Sequence, residues 1–373
     1  MEEVKEFVNR PSNEVKEGEV LVSVRDLVVE FTVRGRILTA IRKVSLDIIK
    51  GETIAIVGES GSGKSVFTKT LTGMLEENGR VASGNIFYDG RDLAKYKTLG
   101  QWIQIRGKRI ATIFQDPMTS LNPLRRIGGQ ISEVIRLHRG MNKADAKKEA
   151  IRLLEKVGIK NAEQRYKDYP FQYSGGMRQR VVIAIALACA PDILICDEPT
   201  TALDVTIQSQ ILELIKELKK EFGFTVIFIT HDLGVVAEVA DRVAVMYAGQ
   251  IVEYGTVDDI YYDPRHPYTW SLLSSLPQLG EKGETLYSIT GTPPSLFDAI
   301  TTDAFAPRNP YALEIDFVKE PPMFKVSDTH YAKTWLLDPR APKVERPAII
   351  GEISARVKKI YSKGVEFDDE SKD

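Results

Sequence analysis

The N-terminal part of the chain shows two patterns of apolar and polar positions. Residues 21–31 and 40–49 alternate between the two types, as half-buried strands do, and Gly35 marks a turn between them. Residues 53–57 form a short continuous apolar run instead, which is typical of a strand buried on both faces of a sheet. The pattern therefore predicts two half-buried strands followed by one central strand.

From Leu93 to about Tyr173 the pattern changes to helical spacing. Apolar residues three and four positions apart form the face of one helix, and Gly158 follows as its C-terminal cap. We therefore expect a helical subdomain, at about residues 93–178. The residues on that helix face are Ala150, Leu153, Leu154 and Val157.

Short buried strands return in the second half of the chain, at residues 193–196, 225–230 and 242–247. A helix with one apolar stripe, at about residues 206–222, separates the first two. Strands that alternate with helices predict an α/β fold with a mostly parallel sheet.

The chain after residue 258 is rich in proline and aromatic residues, which predicts a loop-rich C-terminal region. We place this region at residues 258–345, after a core domain at residues 20–257. The two ends, residues 1–19 and 346–373, are mostly polar and lack periodicity, so we expect a flexible N-terminal tail and a C-terminal extension.

Composition narrows the class of protein. A chain of 373 residues with 43% hydrophobic and 27% charged residues resembles soluble globular proteins, and this excludes disordered, collagenous and disulfide-rich classes. The net charge of −2 gives no general attraction to nucleic acid or anionic lipid. Cys189 and Cys196 lie in apolar segments, so we expect buried, reduced thiols.

Membrane-spanning and secretory signals are missing from the sequence. The longest apolar run, residues 181–190, is far shorter than the ~20 residues that cross a bilayer. The acidic N-terminus lacks the pattern of a signal peptide. We therefore expect a cytosolic chain that reaches a membrane only through a partner.

A phosphate-binding loop is predicted directly after the buried strand at residues 53–57. Residues 58–65 read Gly-Glu-Ser-Gly-Ser-Gly-Lys-Ser, and in such a loop glycines let backbone N–H groups converge on phosphate oxygens. Lys64 would reach the β and γ phosphates of a nucleotide, and the Ser65 hydroxyl would bind Mg²⁺. This motif alone fits GTPases, kinases, helicases and transport ATPases. The predicted nucleotide contacts are Gly58, Ser60, Gly61, Ser62, Gly63, Lys64, Ser65 and Val66.

Two carboxylates follow the buried strand at residues 193–196. The C-terminal edge of a parallel sheet is where α/β folds place their ligands. We expect Asp197 to hold Mg²⁺ through water and Glu198 to orient and polarise the attacking water. By themselves such carboxylates could equally cap the next helix, and it is the nearby phosphate loop that favours a catalytic role.

The segment at residues 173–180, Tyr-Ser-Gly-Gly-Met-Arg-Gln-Arg, resembles the signature sequence of ABC ATPases, and the resemblance covers about residues 20–345. It implies ATP hydrolysis and a phosphate-loop α/β core with an antiparallel β subdomain. It also implies roles for Phe31 in stacking on adenine, for Gln115 as the Q-loop residue near Mg²⁺ and the water, for Asp204 in the D-loop, and for His231 in bridging phosphate and water.

The same resemblance implies that one chain cannot complete its own site. In ABC ATPases the signature residues lie at a helix N-terminus and face the γ-phosphate bound by the other subunit. Here these residues are Ser174, Gly175 and Gly176.

Three further segments are similar to the ATPases of oligopeptide and dipeptide importers: residues 114–123, residues 174–181 and His-Pro-Tyr-Thr at 266–269. With Met at position 177, the segment resembles that of the D-type member of the two unlike ATPases in these systems. The resemblance implies a heterodimer with a second ABC ATPase, two transmembrane permeases, an external solute-binding protein, no nucleic acid, and a peripheral position on the cytoplasmic face of the membrane.

One part of the sequence departs from that subfamily. Many of its members carry four cysteines that resemble an iron–sulfur site around a Phe-Ala-Pro-Arg segment, which is present here at residues 305–308. Because a cluster needs thiolate ligands, we predict no iron–sulfur cluster. The residues at the four positions are Asp303, Asn309, Asp316 and Lys333.

Two alternatives to a peptide importer remain open in the sequence. The same motor could serve an importer of oligosaccharides or metal chelates, because no residue in this chain selects the solute. A non-transport ABC ATPase is the other, although this chain shows neither a second phosphate loop nor sustained heptads.

Overall fold

The computed structural model describes residues 18–201, 203–275, 289–347 and 350–351. The chain forms two compact units. Of these described residues, the first unit contains those up to Val29, Lys43–Ala55 and Ser65–Thr230; the second contains Glu30–Arg42, Ile56–Lys64 and those from His231 onward. The chain passes from one unit to the other within its first three strands, β1 (Val20–Val33), β2 (Arg36–Ile49) and β3 (Thr53–Val57).

The first unit is built on a parallel sheet. Its strands β6 (Ile110–Ile113), β7 (Ile193–Asp197) and β8 (Thr225–Ile229) pair in parallel, and β3 follows β8 in the strand order. All five residues of β3 and of β8 are buried, because strands inside a parallel sheet are covered on both faces. This agrees with the continuous apolar runs in their sequences.

A four-stranded sheet has the order β2-β1-β4-β5, where β4 is Gly79–Tyr88 and β5 is Arg91–Asp92. Buried residues alternate with exposed ones along β1 and β2, so one face of this sheet packs on a core. The turn at residues 34–35 contains Gly35, which adopts φ +76°, as the sequence predicts.

Eight helices lie wholly or mainly in the first unit, among the residues that the structure describes. The helix at Lys143–Lys156 is capped at both ends. At its start the Asn142 side chain accepts a hydrogen bond from the Asp145 N–H, and after its end Gly158, the predicted cap, adopts φ +78°. The helices are α1 (Lys64–Leu71), α2 (Leu99–Ile103), α3 (Pro117–Ser120), α4 (Ile127–Arg139), α5 (Lys143–Lys156), α6 (Ala162–Arg165), α7 (Gly175–Leu187) and α8 (Val205–Phe222).

The second unit contains an antiparallel sheet. Strand β9 (Arg242–Tyr247) pairs with β10 (Gln250–Thr256), which pairs with β12 (Tyr331–Ala332) and then β11 (Phe324–Lys325). Three helices belong to this unit in the described part of the chain, α9 (Leu233–Val239), α10 (Val257–Tyr262) and α11 (Pro267–Ser274). Apart from β11 and β12, residues 289–347 consist mainly of loops and short 3₁₀ turns, as their proline content predicts.

A buried carboxylate organises part of this second unit. Glu253 in β10 is fully buried and accepts hydrogen bonds from the backbone N–H groups of Arg265 (2.6 Å) and His266 (3.0 Å). Its other contact is Nε2 of His330 at 2.8 Å, and that ring is also buried. Every one of these donors lies beyond residue 258, so the C-terminal region and β10 share one core.

Three expectations need correction or qualification. The predicted helical stretch from Leu93 contains a strand, β6, whose short run Ile-Ala-Thr-Ile was too brief to separate from its helical surroundings. The predicted boundary at residue 258 does not divide the two units. Cys196 is buried, but Cys189 is partly exposed; both are free thiols, and burial raises the pKa of Cys189 to about 11.

The predicted tails fall largely outside the described residues, namely 1–17 and 352–373. Within the described ranges, none of the helices combines the length and the apolar character needed to cross a bilayer.

Candidate nucleotide site

The phosphate loop lies in the second unit and requires glycine for steric reasons. Gly58 has φ +145°, and a Cβ there would lie 2.1 Å from the carbonyl oxygen of Met246. Gly63 has φ +106°, and its Cβ would lie 2.9 Å from the Ala40 carbonyl oxygen. Any side chain at these two positions would therefore displace neighbouring backbone. The tight fit fixes the path of the loop between β3 and α1.

The Lys64 side chain folds back onto the phosphate loop and contacts its backbone. It is only 6% exposed, and Nζ donates hydrogen bonds to the carbonyl oxygens of Gly58 at 2.7 Å and Glu59 at 2.9 Å. A buried ammonium group next to converging backbone N–H groups is suited to bind phosphate oxygens.

The hydroxyl of Ser62 gives a further indication of a ligand. It is buried and has no hydrogen-bond partner among the residues that the structure describes. Buried hydroxyl groups in proteins nearly always have a partner. A phosphate oxygen in the loop would satisfy it.

In the first unit, Asp197, the last residue of β7, meets the start of α1. The Ser65 hydroxyl donates to Oδ1 of Asp197 at 3.2 Å, so the two predicted magnesium ligands are adjacent. Both are hard oxygen donors of the type that Mg²⁺ prefers. Ser65 and Asp197 therefore fit the predicted metal. The third predicted ligand, Gln115, contacts Glu198.

Glu198 is held by two neutral donors. Nε2 of Gln115 donates to its Oε2 at 3.0 Å, and the Thr201 hydroxyl donates to the same oxygen at 3.1 Å. Its backbone adopts φ +48°, a conformation rare outside glycine, and its N–H donates to the Ile229 carbonyl oxygen in β8. Residues that keep such a conformation cluster at functional sites.

Thr201 was missed in the sequence analysis. Its position three residues after Glu198 was the available signal, because that spacing in a turn brings a hydroxyl back to the carboxylate.

The signature residues form the N-terminus of α7. Ser174 is its N-cap, and its hydroxyl oxygen accepts a hydrogen bond from the Met177 N–H at 3.3 Å. A Cβ at Gly176 would lie 2.7 Å from Cγ2 of Ile207 in α8. Asp204 caps α8 by accepting from the Ile207 N–H at 3.0 Å. The signature glycine and the D-loop carboxylate are thus held by one packed pair of helices.

The remaining predicted residues are placed as follows. Phe31 is half-buried in the part of β1 that belongs to the second unit. His231 is exposed and follows β8, immediately before Asp232, the N-cap of α9. Ser60 and Gly61 are exposed in the phosphate loop, and Gly175 and Val66 lie in the first turns of α7 and α1. Within the first unit the structure joins Ser65 with Asp197 and Gln115 with Glu198.

Comparison with known proteins agrees with these motifs. A family model described as "ABC transporter" matches residues 41–201, and one described as "Oligopeptide/dipeptide transporter, C-terminal region" matches residues 252–315. The oligopeptide transport ATP-binding protein AmiE of Streptococcus pneumoniae is 64% identical over 343 residues, which cover 92% of this chain and 97% of AmiE. The chain belongs to the ABC transporter ATP-binding proteins of the oligopeptide/dipeptide type.

One further relative and one solved structure extend the comparison. OppD of Bacillus subtilis, an oligopeptide transport ATP-binding protein, is 56% identical over 92% of this chain and 97% of its own. The dimeric post-hydrolysis structure of the ATP-binding cassette MJ0796 bound to ADP and phosphate is 28% identical, with a TM-score of 0.56, and covers 63% of this chain and 98% of that one. The present ABC protein therefore binds and hydrolyses ATP as the ATP-binding subunit of an ABC transporter.

The four positions that the subfamily resemblance linked to cysteines all lie in the C-terminal region, between residues 303 and 333. Asp303 accepts from the Phe305 N–H, Asn309 from the Tyr311 N–H, and Asp316 from the Leu313 N–H. Lys333 forms an ion pair with Glu320 at 3.2 Å. Burial raises the pKa of Asp303 to about 6 and lowers the pKa of Lys333. Turn caps and an ion pair occupy these side chains.

Proposed function

We propose that this chain binds Mg-ATP on the phosphate loop and that Glu198 directs the attacking water. The observation that carries the proposal is the hydrogen-bonded set around the end of β7, in which Ser65 contacts Asp197 and Gln115 contacts Glu198. A carboxylate oriented by these hydrogen bonds has oxygen lone pairs that can accept a proton from water.

The phosphate loop would supply the charge stabilisation in this reaction. Lys64 exchanges its carbonyl partners for the β and γ phosphates, and the Ser62 hydroxyl and loop N–H groups bind phosphate oxygens. Ser65, Asp197 and Gln115 would hold Mg²⁺, which neutralises developing charge on the phosphates when it is bound. Phe31 would stack on adenine, and His231 would bridge the γ-phosphate and the water.

We further propose that a second, unlike ATPase completes the site. The N-terminus of α7, with Ser174, Gly175 and Gly176, would bind the γ-phosphate held by that subunit. AmiE and OppD are named as oligopeptide transport ATP-binding proteins, which supports oligopeptides as the solute. Two transmembrane permeases, contacted by the helical subdomain at about residues 93–178, and an external solute-binding protein would complete a peripheral complex on the cytoplasmic face of the membrane.

No iron–sulfur cluster belongs to the proposal, because none of Asp303, Asn309, Asp316 and Lys333 can supply a thiolate. Residues 258–345 would instead act as a C-terminal region held by hydrogen bonds and aromatic packing.

The test is to purify the tagged chain from detergent-solubilised host membranes and to identify its partners by mass spectrometry. We expect two polytopic permeases and a second ATPase, and the reconstituted complex should hydrolyse ATP faster with its binding protein and oligopeptides than with oligosaccharides. Recovery of ribosomal or DNA-bound proteins without a permease would contradict the transport assembly. Stimulation by oligosaccharides alone would contradict the solute.

A further inference from the structure

Arg308, in the short 3₁₀ turn at Ala306–Arg308, reaches the phosphate loop. Its guanidinium group donates to both carboxylate oxygens of Glu59, from Nη1 to Oε2 at 2.7 Å and from Nη2 to Oε1 at 2.9 Å. The Arg308 side chain is 4% exposed. Two parallel charge-assisted hydrogen bonds from a buried guanidinium fix a carboxylate in both position and orientation.

The remaining donors of Arg308 are also used. Nη1 donates to the hydroxyl of Tyr247 at 3.2 Å, and Nε donates to the Thr290 carbonyl oxygen at 2.9 Å. The hydrogen bond with Glu59 and the one with Tyr247 raise the pKa of the guanidinium further above its usual range. Arg308 is therefore a fixed positive charge whose guanidinium group faces Glu59 in the phosphate loop.

Glu59 is the second residue of the phosphate loop, and its backbone is held as firmly as its side chain. Its N–H donates to the hydroxyl of Tyr268 in α11 at 2.8 Å. Its carbonyl oxygen accepts from Lys64 Nζ at 2.9 Å and from the Ser62 N–H at 3.2 Å. Glu59, which Arg308 holds, is thus hydrogen-bonded directly to Lys64 and Ser62, the two residues that would bind phosphate.

Aromatic packing makes the support rigid. Phe305 is fully buried and packs edge-on against Tyr247 and Tyr268, with ring centroids 5.3 Å apart in both pairs. Tyr247 and Tyr268 lie 4.5 Å apart. Such a cluster has few alternative packings, so the turn that carries Arg308 cannot shift freely.

We propose that Arg308 is a positioning residue for ATP binding: it holds the phosphate loop in its binding conformation through Glu59. The C-terminal region, of which Arg308 is a part, then sets the affinity for ATP, although Arg308 contacts Glu59 and not the phosphates. Without this contact the loop adopts other conformations, and part of the binding free energy of ATP is then used to order it again, which raises the Kd.

The test measures the Kd of a fluorescent ATP analogue on the full-length chain for Arg308→Gln, Glu59→Gln and the double variant. We expect each single variant to weaken binding about tenfold, since a pair partly open to solvent is worth less than a fully buried one. The double variant should bind no more weakly than either single variant, because both act through one contact. Arg308→Lys should restore part of the loss.

The matched control is Arg340→Gln. Arg340 also makes two bonds to a carboxylate, that of Asp338, but its side chain is 87% exposed. Its Kd should equal that of the wild type. A merely structural Arg308 would lower the melting midpoint and leave the Kd unchanged, which would overturn the proposal.

Two further outcomes are informative. If Arg308→Gln fails to fold, the Kd of Glu59→Gln tests the proposal instead, because Arg308 keeps its hydrogen bonds to Tyr247 and Thr290 in that variant. Wild-type affinity in Glu59→Gln would refute the proposal. The inference rests on the assignment of residues 58–65 to phosphate binding. If Lys64→Ala also binds ATP normally, that assignment fails; if only Lys64→Ala loses binding, the assignment holds and the role of Arg308 fails.

Discussion

Glu198 and Glu253 are two carboxylates in different units that are held in opposite ways. Glu198 is half-buried and accepts hydrogen bonds from an amide and a hydroxyl, both uncharged. Glu253 is fully buried, accepts hydrogen bonds from two backbone N–H groups and forms a third with Nε2 of the His330 ring. Neutral donors at a half-open position orient a carboxylate and leave it able to contact water. Full enclosure by donors makes it part of the core.

The largest effect should follow from removing the charge of the open carboxylate. We expect Glu198→Gln to lower kcat by about 10²–10⁴-fold, the usual contribution of a general base, with the Kd for ATP unchanged. We would measure kcat by steady-state hydrolysis in the assembled complex, and the Kd for ATP by equilibrium binding on the same preparation. Glu213→Gln, on the exposed face of α8, is the control. Hydrolysis at the wild-type rate would show that Glu198 has another role.

The enclosed carboxylate should affect folding instead of turnover. Glu253→Ala leaves two backbone N–H groups and a buried imidazole without their acceptor, so we expect a loss of about 3–5 kcal/mol in the free energy of unfolding. Urea denaturation followed by circular dichroism measures it, with Glu213→Ala as control. An unchanged urea midpoint would mean that the donors find other acceptors.

Asp303 provides a smaller and pH-dependent test. Burial raises its pKa from 3.8 to about 6, so the folded chain binds a proton between these values that the unfolded chain releases. The contribution of Asp303 to stability is therefore greatest below pH 4, falls as pH rises to about 6, and is constant above, with a cost of about 2–3 kcal/mol at pH 7.

Asp303→Asn removes this cost and can keep the acceptor for the Phe305 N–H. We expect its melting midpoint to exceed that of the wild type at pH 7 and to match it at pH 4. An equal difference at both pH values would show that ionisation is not the cause.

Much of the site could be predicted from the sequence because the motifs are local. Gly58 and Gly63 need positive φ and space that only glycine leaves, and Lys64 follows at fixed spacing. The strands at residues 53–57 and 242–247 were predicted with the bounds that the structure gives. Strand β6 was missed because a run of four residues, three of them apolar, carries too little periodicity to distinguish strand from helix.

The sequence by itself determined the elements whose signal lies within a few residues: the central strands, the phosphate loop, the carboxylates after β7 and the N-cap serine of α7. Only the tertiary structure decided which distant residues meet. Nothing local in Phe-Ala-Pro-Arg indicates that Arg308 pairs with Glu59, 249 positions away. Side-chain pairs across such separations depend on how the chain packs, because burial and charge pairing act between neighbours in space.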